Sequence, residues 1–278
     1  MSEAKPRTTP LIGISSATLN PLGASEICQM ASTLRFDGVE WGIGTGQVLQ
    51  VGAPSGEVHE IAQAGAVFGL QCCGVSVHDG DALLRPDAQW EWLAEAATAL
   101  ESPHIRVYAP PVTVIEKLGD FDTALGDLQV CIAERADRLS RYKLKLLIEP
   151  SPRTLVPSPD LARNALTKAE RAYVGVVYDP GSLVQEGWLD PFLAVKVLGR
   201  SLQHVHVKNV SPTQQSGRWT WTYERLLAGF VDWEQVVYAV EAAGYLGWYV
   251  LDHLSSGDPG AMTADLFDLR EMLAPVRR

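Results

Sequence analysis

The sequence alternates between short apolar runs and longer segments with helical periodicity, and this alternation limits the folds that the chain can adopt. The apolar runs occupy residues 11–16, 38–42, 70–77, 104–109, 144–150, 174–180, 202–209 and 248–253. Strands that are apolar on both faces must be covered on both faces, as in a parallel sheet flanked by helices. The helical segments occupy residues 24–35, 57–68, 87–100, 121–142, 158–170, 189–199, 232–243 and 262–274. Eight strand and helix units predict a single (β/α)8 TIM barrel, with a doubly wound sheet as the structural alternative.

The length of the chain, 278 residues, fits one such barrel, which commonly needs about 250 residues. No change in composition and no linker rich in Ser, Gly or Pro divides the sequence. We therefore expect one domain over residues 1–278, with a flexible N-terminus over residues 1–10. The longest predicted loops, residues 41–56 and 208–222, are expected to form a rim that covers a substrate.

Charge and composition limit the partners of the chain. A net charge of −10, from 23 basic and 33 acidic residues, gives no general attraction for phosphate backbones, so we expect no nucleic-acid partner. No stretch reaches the roughly 18 apolar residues of a membrane span, and the N-terminal segment lacks the apolar core of a signal peptide. The four cysteines have no metal-binding spacing and are expected to be free thiols. Together these features predict a cytoplasmic protein without membrane attachment.

Potential metal ligands stand at the ends of the last four predicted strands: Glu149, Asp179, His206 and Asp252. The active site of a (β/α)8 barrel lies at the C-terminal ends of its strands, so these side chains would share one mouth. Three carboxylates and one imidazole suit one divalent ion, either Mn²⁺, Co²⁺, Mg²⁺ or Zn²⁺. For each residue taken alone, an ion pair or a helix cap is the alternative interpretation.

Five motifs carry a family resemblance that spans nearly the whole chain. They are FDGVEW at residues 36–41, LLIEP at 146–150, VGVVYDPGSL at 174–183, HVHVKN at 204–209 and the segment from GFVDWEQ to YVLDH at 229–253. On these motifs the sequence resembles the xylose isomerase-like TIM-barrel superfamily, which contains sugar and sugar-phosphate isomerases and epimerases. Oligomers are common among such barrels, so the resemblance is also compatible with a homo-oligomer.

The resemblance implies a ligand set for one divalent cation. In the family a Glu, an Asp, the second His of an H-x-H run and a Glu hold the metal, and these positions fall on Glu149, Asp179, His206 and Asp252. His204, the first histidine of the run, is then expected to point the other way. The first and last carboxylates of the set act as acid and base in the epimerases of the family, which nominates Glu149 and Asp252 as catalytic residues.

The implied chemistry is proton transfer beside a carbonyl group, through an enediolate that the metal stabilises. We therefore expect a metal-dependent isomerase or epimerase of a small sugar, sugar phosphate or polyol-type carbonyl compound. Two residues depart from the family pattern. Ser182 stands where a histidine is common, and Asp252 is one methylene shorter than the usual Glu. An inosose-type dehydratase and a ligand-binding barrel without catalysis therefore stay as alternatives, whereas six histidines are too few for an endonuclease IV type of metal cluster.

Other residues near predicted strand ends are expected to bind the substrate. Lys208 follows His206 by two residues and so shares its strand face. Arg106 and Tyr108 share a face of the fourth strand for the same reason, and an arginine can hold a carboxylate or phosphate with two hydrogen bonds. The alternatives are a buried ion pair for Arg106 and a solvated position for Lys208. The full predicted set is Glu40, Trp41, His78, Arg106, Tyr108, Ser182 and Lys208.

Overall fold

Eight parallel strands close into a barrel in the computed structural model, which describes residues 10–253 and 258–274. The barrel strands are β1 (Leu11–Ser15), β2 (Gly38–Ile43), β3 (Gln71–Val77), β4 (His104–Tyr108), β5 (Lys145–Glu149), β6 (Val174–Tyr178), β7 (Leu202–Val207) and β10 (Trp248–Leu251). Their order around the barrel follows the sequence, and β10 closes the ring by pairing with both β7 and β1. The predicted (β/α)8 barrel is thus confirmed, and the doubly wound sheet is excluded because that sheet is open. Residues 1–9 of the predicted flexible N-terminus lie outside the described residues.

Helices surround the barrel and cover the outer faces of its strands. They are α1 (Ala24–Thr33), α2 (Ser55–Val67), α3 (Asp87–Ala99), α4 (Val114–Leu118), α5 (Phe121–Ser140), α6 (Pro159–Ala165), α7 (Pro180–Leu183), α8 (Pro191–Leu198), α9 (Trp233–Ala242) and α10 (Pro259–Leu273). In α5 the buried residues Leu125, Leu128 and Ile132 recur at the three- and four-residue spacing that makes one apolar face. No helix within the described ranges has the length and apolar character needed to cross a membrane.

A β-hairpin follows β7, in a region that the sequence predicted as a loop. Strands β8 (Asn209–Gln215) and β9 (Arg218–Glu224) pair in antiparallel fashion. Ser216 and Gly217 connect them with φ angles of 50° and 76°, the positive values that favour glycine in tight hairpin turns. Asn209 fixes the base of the hairpin, since its side-chain amide donates to the carbonyl oxygens of Leu226 at 2.7 Å and Val231 at 2.8 Å.

An irregularity in the pairing of β2 with β3 determines which side chains point into the barrel. The register shifts between Val39 and Glu40, so that Val39 pairs with Cys72 whereas Glu40 pairs with Gly74. Such bulges change the direction of the side chains that follow them. Glu40 points into the barrel interior, where it is fully buried beside two histidines of β7.

Candidate active site

Three of the predicted metal ligands converge at the C-terminal end of the barrel. Glu149 is the last residue of β5, Asp179 follows β6, and His206 lies one residue before the end of β7. Each offers one ligand atom, and these atoms all lie within 4.8 Å of one another. Asp252 follows β10 beside this group, with Oδ2 at 3.7 Å from His206 Nδ1, while Glu149 Oε2 lies 3.4 Å from the same nitrogen. The four side chains are completely buried.

The atoms of this group fit a divalent cation. Among the residues that the structure describes, Oε1 of Glu149 and Oδ1 of Asp252 have neither a hydrogen-bond partner nor a cationic group in contact. Buried polar atoms are normally satisfied, so a cluster of unsatisfied acceptors indicates that a ligand completes it. Carboxylate oxygens with one imidazole nitrogen form a set of mainly hard donors, which suits Mg²⁺ or Mn²⁺ and also accepts Co²⁺ or Zn²⁺.

Two positive side chains balance the carboxylates. Lys208 Nζ lies 2.7 Å from Asp179 Oδ2. Burial would lower the pKa of Lys208, but Asp179 and Asp252 raise it well above the usual value, so the ammonium group stays charged. Ser182 contributes two further hydrogen bonds to Asp179, because its backbone amide and its hydroxyl each donate to the carboxylate at 2.9 Å. Ser182, which departs from the histidine that the family resemblance implies, thus orients a predicted ligand.

Arg106 forms the second balancing pair, with Glu149. The Nε atom of Arg106 lies 2.9 Å from Glu149 Oε2, and both side chains are fully buried. Burial would raise the pKa of Glu149, but Arg106, His206 and Lys208 lower it to about 2, so the carboxylate is ionised at neutral pH. The guanidinium group also stacks over the ring of Tyr108, 4.3 Å from its centre. This geometry supports the ion-pair interpretation of Arg106 and places Tyr108 on the same wall of the site.

Glu40 lies on the inner side of His206. Nε2 of His206 is 3.1 Å from both carboxylate oxygens of Glu40, and the Ser76 hydroxyl donates to Glu40 Oε1. Burial would raise the pKa of Glu40, but His206 and His204 lower it well below the usual value. Burial would lower the pKa of His206, but Glu40 and Glu149 raise it well above the usual value, so a cation would bind Nδ1 in exchange for its proton while Nε2 keeps donating to Glu40. Glu40 therefore orients a ligand and does not line the open mouth.

His253 contacts Asp252 from the solvent side. Its Nδ1 lies 2.5 Å from Asp252 Oδ2, and its backbone has a positive φ of 48°, which turns the imidazole back toward the site. Burial would raise the pKa of Asp252, but His253, Lys208 and His206 lower it well below the usual value. Tyr223 of the hairpin stacks on the His253 ring, with centres 5.4 Å apart and planes tilted by 26°. The hairpin thus reaches the rim of the site.

An open cavity of about 790 Å³ lies beside the site, at the ends of β3, β4 and β5. His78 and Tyr108 lie on the side nearest the predicted ligands, where His78 is 6.5 Å from Tyr108 and 6.4 Å from His253 between ring centres. The salt bridge of Asp79 with Arg85 lines the outer wall. The cavity therefore offers charged and hydrogen-bonding groups to a small polar molecule.

The fold agrees with a comparison of the sequence with known families. Residues 28–271 match the family described as xylose isomerase-like TIM barrel. The chain belongs to this family. No curated protein sequence matches the chain.

Solved structures of several other proteins share the fold at low sequence identity. A xylose isomerase-like TIM barrel protein from Mycobacterium smegmatis in complex with magnesium is 16% identical, with a TM-score of 0.71 over 96% of this chain and 97% of that one. A 3-keto-D-glucoside 4-epimerase from E. coli is 17% identical, with a TM-score of 0.72 over 94% and 99%. A probable 3-DHS dehydratase from Bacillus anthracis is 16% identical, with a TM-score of 0.71 over 93% and 98%. At this identity the likeness shows the fold alone.

Two expectations about side-chain direction require correction in this xylose isomerase-like barrel. Trp41, predicted to bind substrate, is buried on the outer face of β2 and lines a cavity with Ile61 of α2 and Cys72 of β3. The strand alternation that points Glu40 inward points its neighbour outward. His204 was expected to face away from His206, but both histidines contact Glu40. Residues two apart share a strand face, so the sequence already contained this signal.

Two residues of the site were not predicted from the sequence. His253 follows a predicted ligand directly, and strand alternation would point it away, but the strand ends at Leu251 and the positive φ reverses its direction. Tyr223 reaches the site only because β9 folds back over the barrel, and the largely exposed residues of β9 lack the apolar pattern that identified the barrel strands.

Proposed function

We propose that this chain is a divalent-metal-dependent isomerase or epimerase of a small sugar, sugar phosphate or polyol-type carbonyl compound. One observation carries the proposal. The carboxylates of Glu149 and Asp252, from two strands separated by β6 and β7, approach the same nitrogen of His206, at 3.4 and 3.7 Å. A substrate carbon next to a carbonyl group can therefore lie between two groups that exchange protons. This supports proton removal by one carboxylate and proton return by the other.

The side chains of the site have different roles in the proposed reaction. Glu149 and Asp252 are both ionised before substrate binds, so either can accept the first proton. Lys208 carries a positive charge at the same mouth and can donate a hydrogen bond to a substrate oxygen. Glu149, Asp179 and His206, with Asp252 beside them, would hold the cation. The chemistry that a bound cation supplies is polarisation of the carbonyl, which stabilises an enediolate.

The adjoining cavity supports a small polar substrate. Its polar lining includes His78, Asp79 and Arg85, and these groups suit hydroxyl or phosphate oxygens. The four cysteines are free thiols, which supports the proposed location in the reducing cytoplasm.

Deuterium exchange tests the proposal. The purified protein, loaded in turn with Mn²⁺, Co²⁺, Mg²⁺ or Zn²⁺, is incubated in D₂O with ketoses, hydroxypyruvate and inososes. We expect one substrate class to gain deuterium on the carbon beside the carbonyl, detected by NMR and mass spectrometry. Glu149→Gln and Asp252→Asn should each slow exchange by about 10²- to 10⁴-fold, the usual contribution of an acid or base. Asp120→Asn, which changes an exposed cap of α5, serves as the control. Metal uptake without label in any substrate contradicts the proposal.

Dehydration is the second candidate, and the contacts of Asp252 favour it. A leaving hydroxyl group needs a proton donor. Two nitrogen atoms that can supply a proton lie beside Asp252 Oδ2: His253 Nδ1 at 2.5 Å and Lys208 Nζ at 3.6 Å. Loss of water from the same enediolate would give an unsaturated carbonyl product with new ultraviolet absorbance. In the exchange screen, this absorbance together with loss of 18 mass units distinguishes elimination from isomerisation.

A further inference from the structure

We propose that the barrel interior contains a second cation site, formed by Glu40, His104 and His204 on the inner side of the first. The three residues come from β2, β4 and β7 and lie closer to the N-terminal ends of the strands than the candidate active site. The four predicted metal ligands Glu149, Asp179, His206 and Asp252 are called the outer site below. The proposal does not depend on the function proposed above, since none of its three residues belongs to the outer site.

The three side chains present their ligand atoms to one another. One atom from each lies within 4.8 Å of the other two. His204 Nε2 is 2.9 Å from Glu40 Oε2, and the rings of His104 and His204 are 4.7 Å apart between centres. Each residue is at most 5% exposed. Two imidazoles and one carboxylate from three different strands therefore meet in a space that solvent does not reach.

The nitrogen atoms of this cluster lack partners. Within the described part of the chain, Nε2 of His104 and Nδ1 of His204 make no hydrogen bond. A buried polar atom without a partner costs about 1 to 3 kcal/mol, so a protein core normally avoids one. Coordination of a cation by His104 Nε2 would satisfy this atom.

The absence of a side chain at Gly74 lets two ligand atoms of the cluster approach the backbone of β3. A Cβ atom on this residue would lie 2.5 Å from His104 Nε2 and 3.3 Å from Glu40 Oε2. The two ligand atoms therefore lie against the same glycine, and a larger residue would occupy the space beside it and displace the His104 ring. The register shift of β2 pairs Glu40 with Gly74 and so places the carboxylate over this space. The bulge in β2 and the glycine in β3 are two independent features that bring Glu40 and His104 together.

The chemistry of the cluster selects a different ion from that of the outer site. Two imidazole nitrogens and one carboxylate oxygen suit Zn²⁺ or Co²⁺, whereas Mg²⁺ prefers oxygen ligands and keeps its water molecules. Glu40 can serve both sites, because Oε2 faces His204 while Oε1 stays 3.1 Å from His206 Nε2. A closed position predicts slow exchange with chelators, as in structural zinc sites.

Metal stoichiometry tests the proposal, with the outer site disabled by Glu149→Gln/Asp179→Asn. After loading with Zn²⁺ and desalting, we expect two equivalents in the unmodified protein and one in this variant, measured by elemental analysis. Adding His104→Gln should remove the remaining equivalent. Gly74→Ala in the otherwise unmodified chain should lose one equivalent and keep the other. His59→Gln, on the exposed surface of α2, should keep both.

The visible absorption spectrum of bound Co²⁺ provides a second test that does not depend on metal stoichiometry. The visible spectrum of the outer-site variant loaded with Co²⁺ should show nitrogen coordination, and Gly74→Ala should abolish it. The proposal is overturned if the outer-site variant binds no Zn²⁺, or if its bound Zn²⁺ survives both His104→Gln and Gly74→Ala. If the His104 variant does not fold, the outer-site and Gly74 variants alone decide the outcome.

Discussion

Lys208 and Asp179 form a buried ion pair at the mouth of the barrel, with Nζ 2.7 Å from Oδ2. The same ammonium group lies 3.6 Å from Asp252 Oδ2, so one lysine touches two predicted metal ligands. Buried carboxylates without a compensating charge strongly destabilise a folded protein. Lys208 and a bound cation therefore have overlapping electrostatic roles, and this overlap can be measured.

Replacing Lys208 with methionine should destabilise the metal-free protein by about 3 to 5 kcal/mol, because the buried carboxylate of Asp179 loses its positively charged partner. A divalent cation should restore more stability to this variant than to the unmodified chain, since it would neutralise the same carboxylates. Thermal unfolding with and without Mn²⁺ measures both effects. Lys168→Met, at an exposed lysine, is the matched control. Equal stability of the two metal-free variants would contradict the role assigned to Lys208.

Arg106 should be needed for the ionisation and position of Glu149. Arg106→Leu removes a fully buried partner 2.9 Å from Glu149, so we expect a loss of about 3 to 5 kcal/mol in the free energy of unfolding. Arg106→Lys keeps the charge but not the planar guanidinium that stacks on Tyr108, so it should recover only part of the stability. Urea denaturation compares the two variants with Arg163→Leu, an exposed arginine of α6. If Arg106→Leu and Arg106→Lys lower the free energy of unfolding equally, the charge of Arg106 does not stabilise Glu149.

The fold was predictable because strand and helix periodicities are local properties of the sequence. All eight barrel strands begin within one residue of their predicted starts, and the quartet at the strand ends meets because parallel strands end at one side of a barrel. Side-chain direction depended on details that periodicity does not contain. The inward position of Glu40 needs the bulge in β2, and the position of His253 needs a residue with positive φ. Tyr223 reaches the site through a hairpin whose strands are exposed and polar, so they lack the apolar pattern of the barrel strands.

The hairpin is expected to contribute to substrate binding through Tyr223. Its ring stacks on His253, which contacts Asp252, so removal of the ring frees the imidazole at the rim of the site. Aromatic pairs contribute about 0.5 to 1.5 kcal/mol, which corresponds to an increase in KM of roughly 2- to 13-fold for Tyr223→Leu. We expect kcat to change less than KM, because the carboxylates stay in place. Steady-state kinetics on the substrate found by exchange provides the measurement. Trp219→Leu, on an exposed side chain of the same strand, should leave both constants unchanged, and a fall in kcat alone for Tyr223→Leu would refute this role.

His78 should make the stability of the protein depend on pH in the mildly acidic range. Burial and the nearby Arg106 charge lower the pKa of His78 from 6.5 to about 4. Between these values the unfolded chain binds a proton that the folded chain does not, so the free energy of unfolding should decrease as the pH falls from 6.5 to 4. Because the side chain is not completely buried, we expect a contribution of about 2 kcal/mol, below the full value for this shift. Above pH 6.5 the imidazole is neutral in both the folded and the unfolded chain, and this contribution is complete.

Urea denaturation at pH 7, 6, 5 and 4 measures this contribution of His78. The free energy of unfolding should decrease less toward acid pH in His78→Gln than in the unmodified protein. An NMR titration provides an independent check, since a His78 ring that protonates near its ordinary value would remove the basis of this dependence.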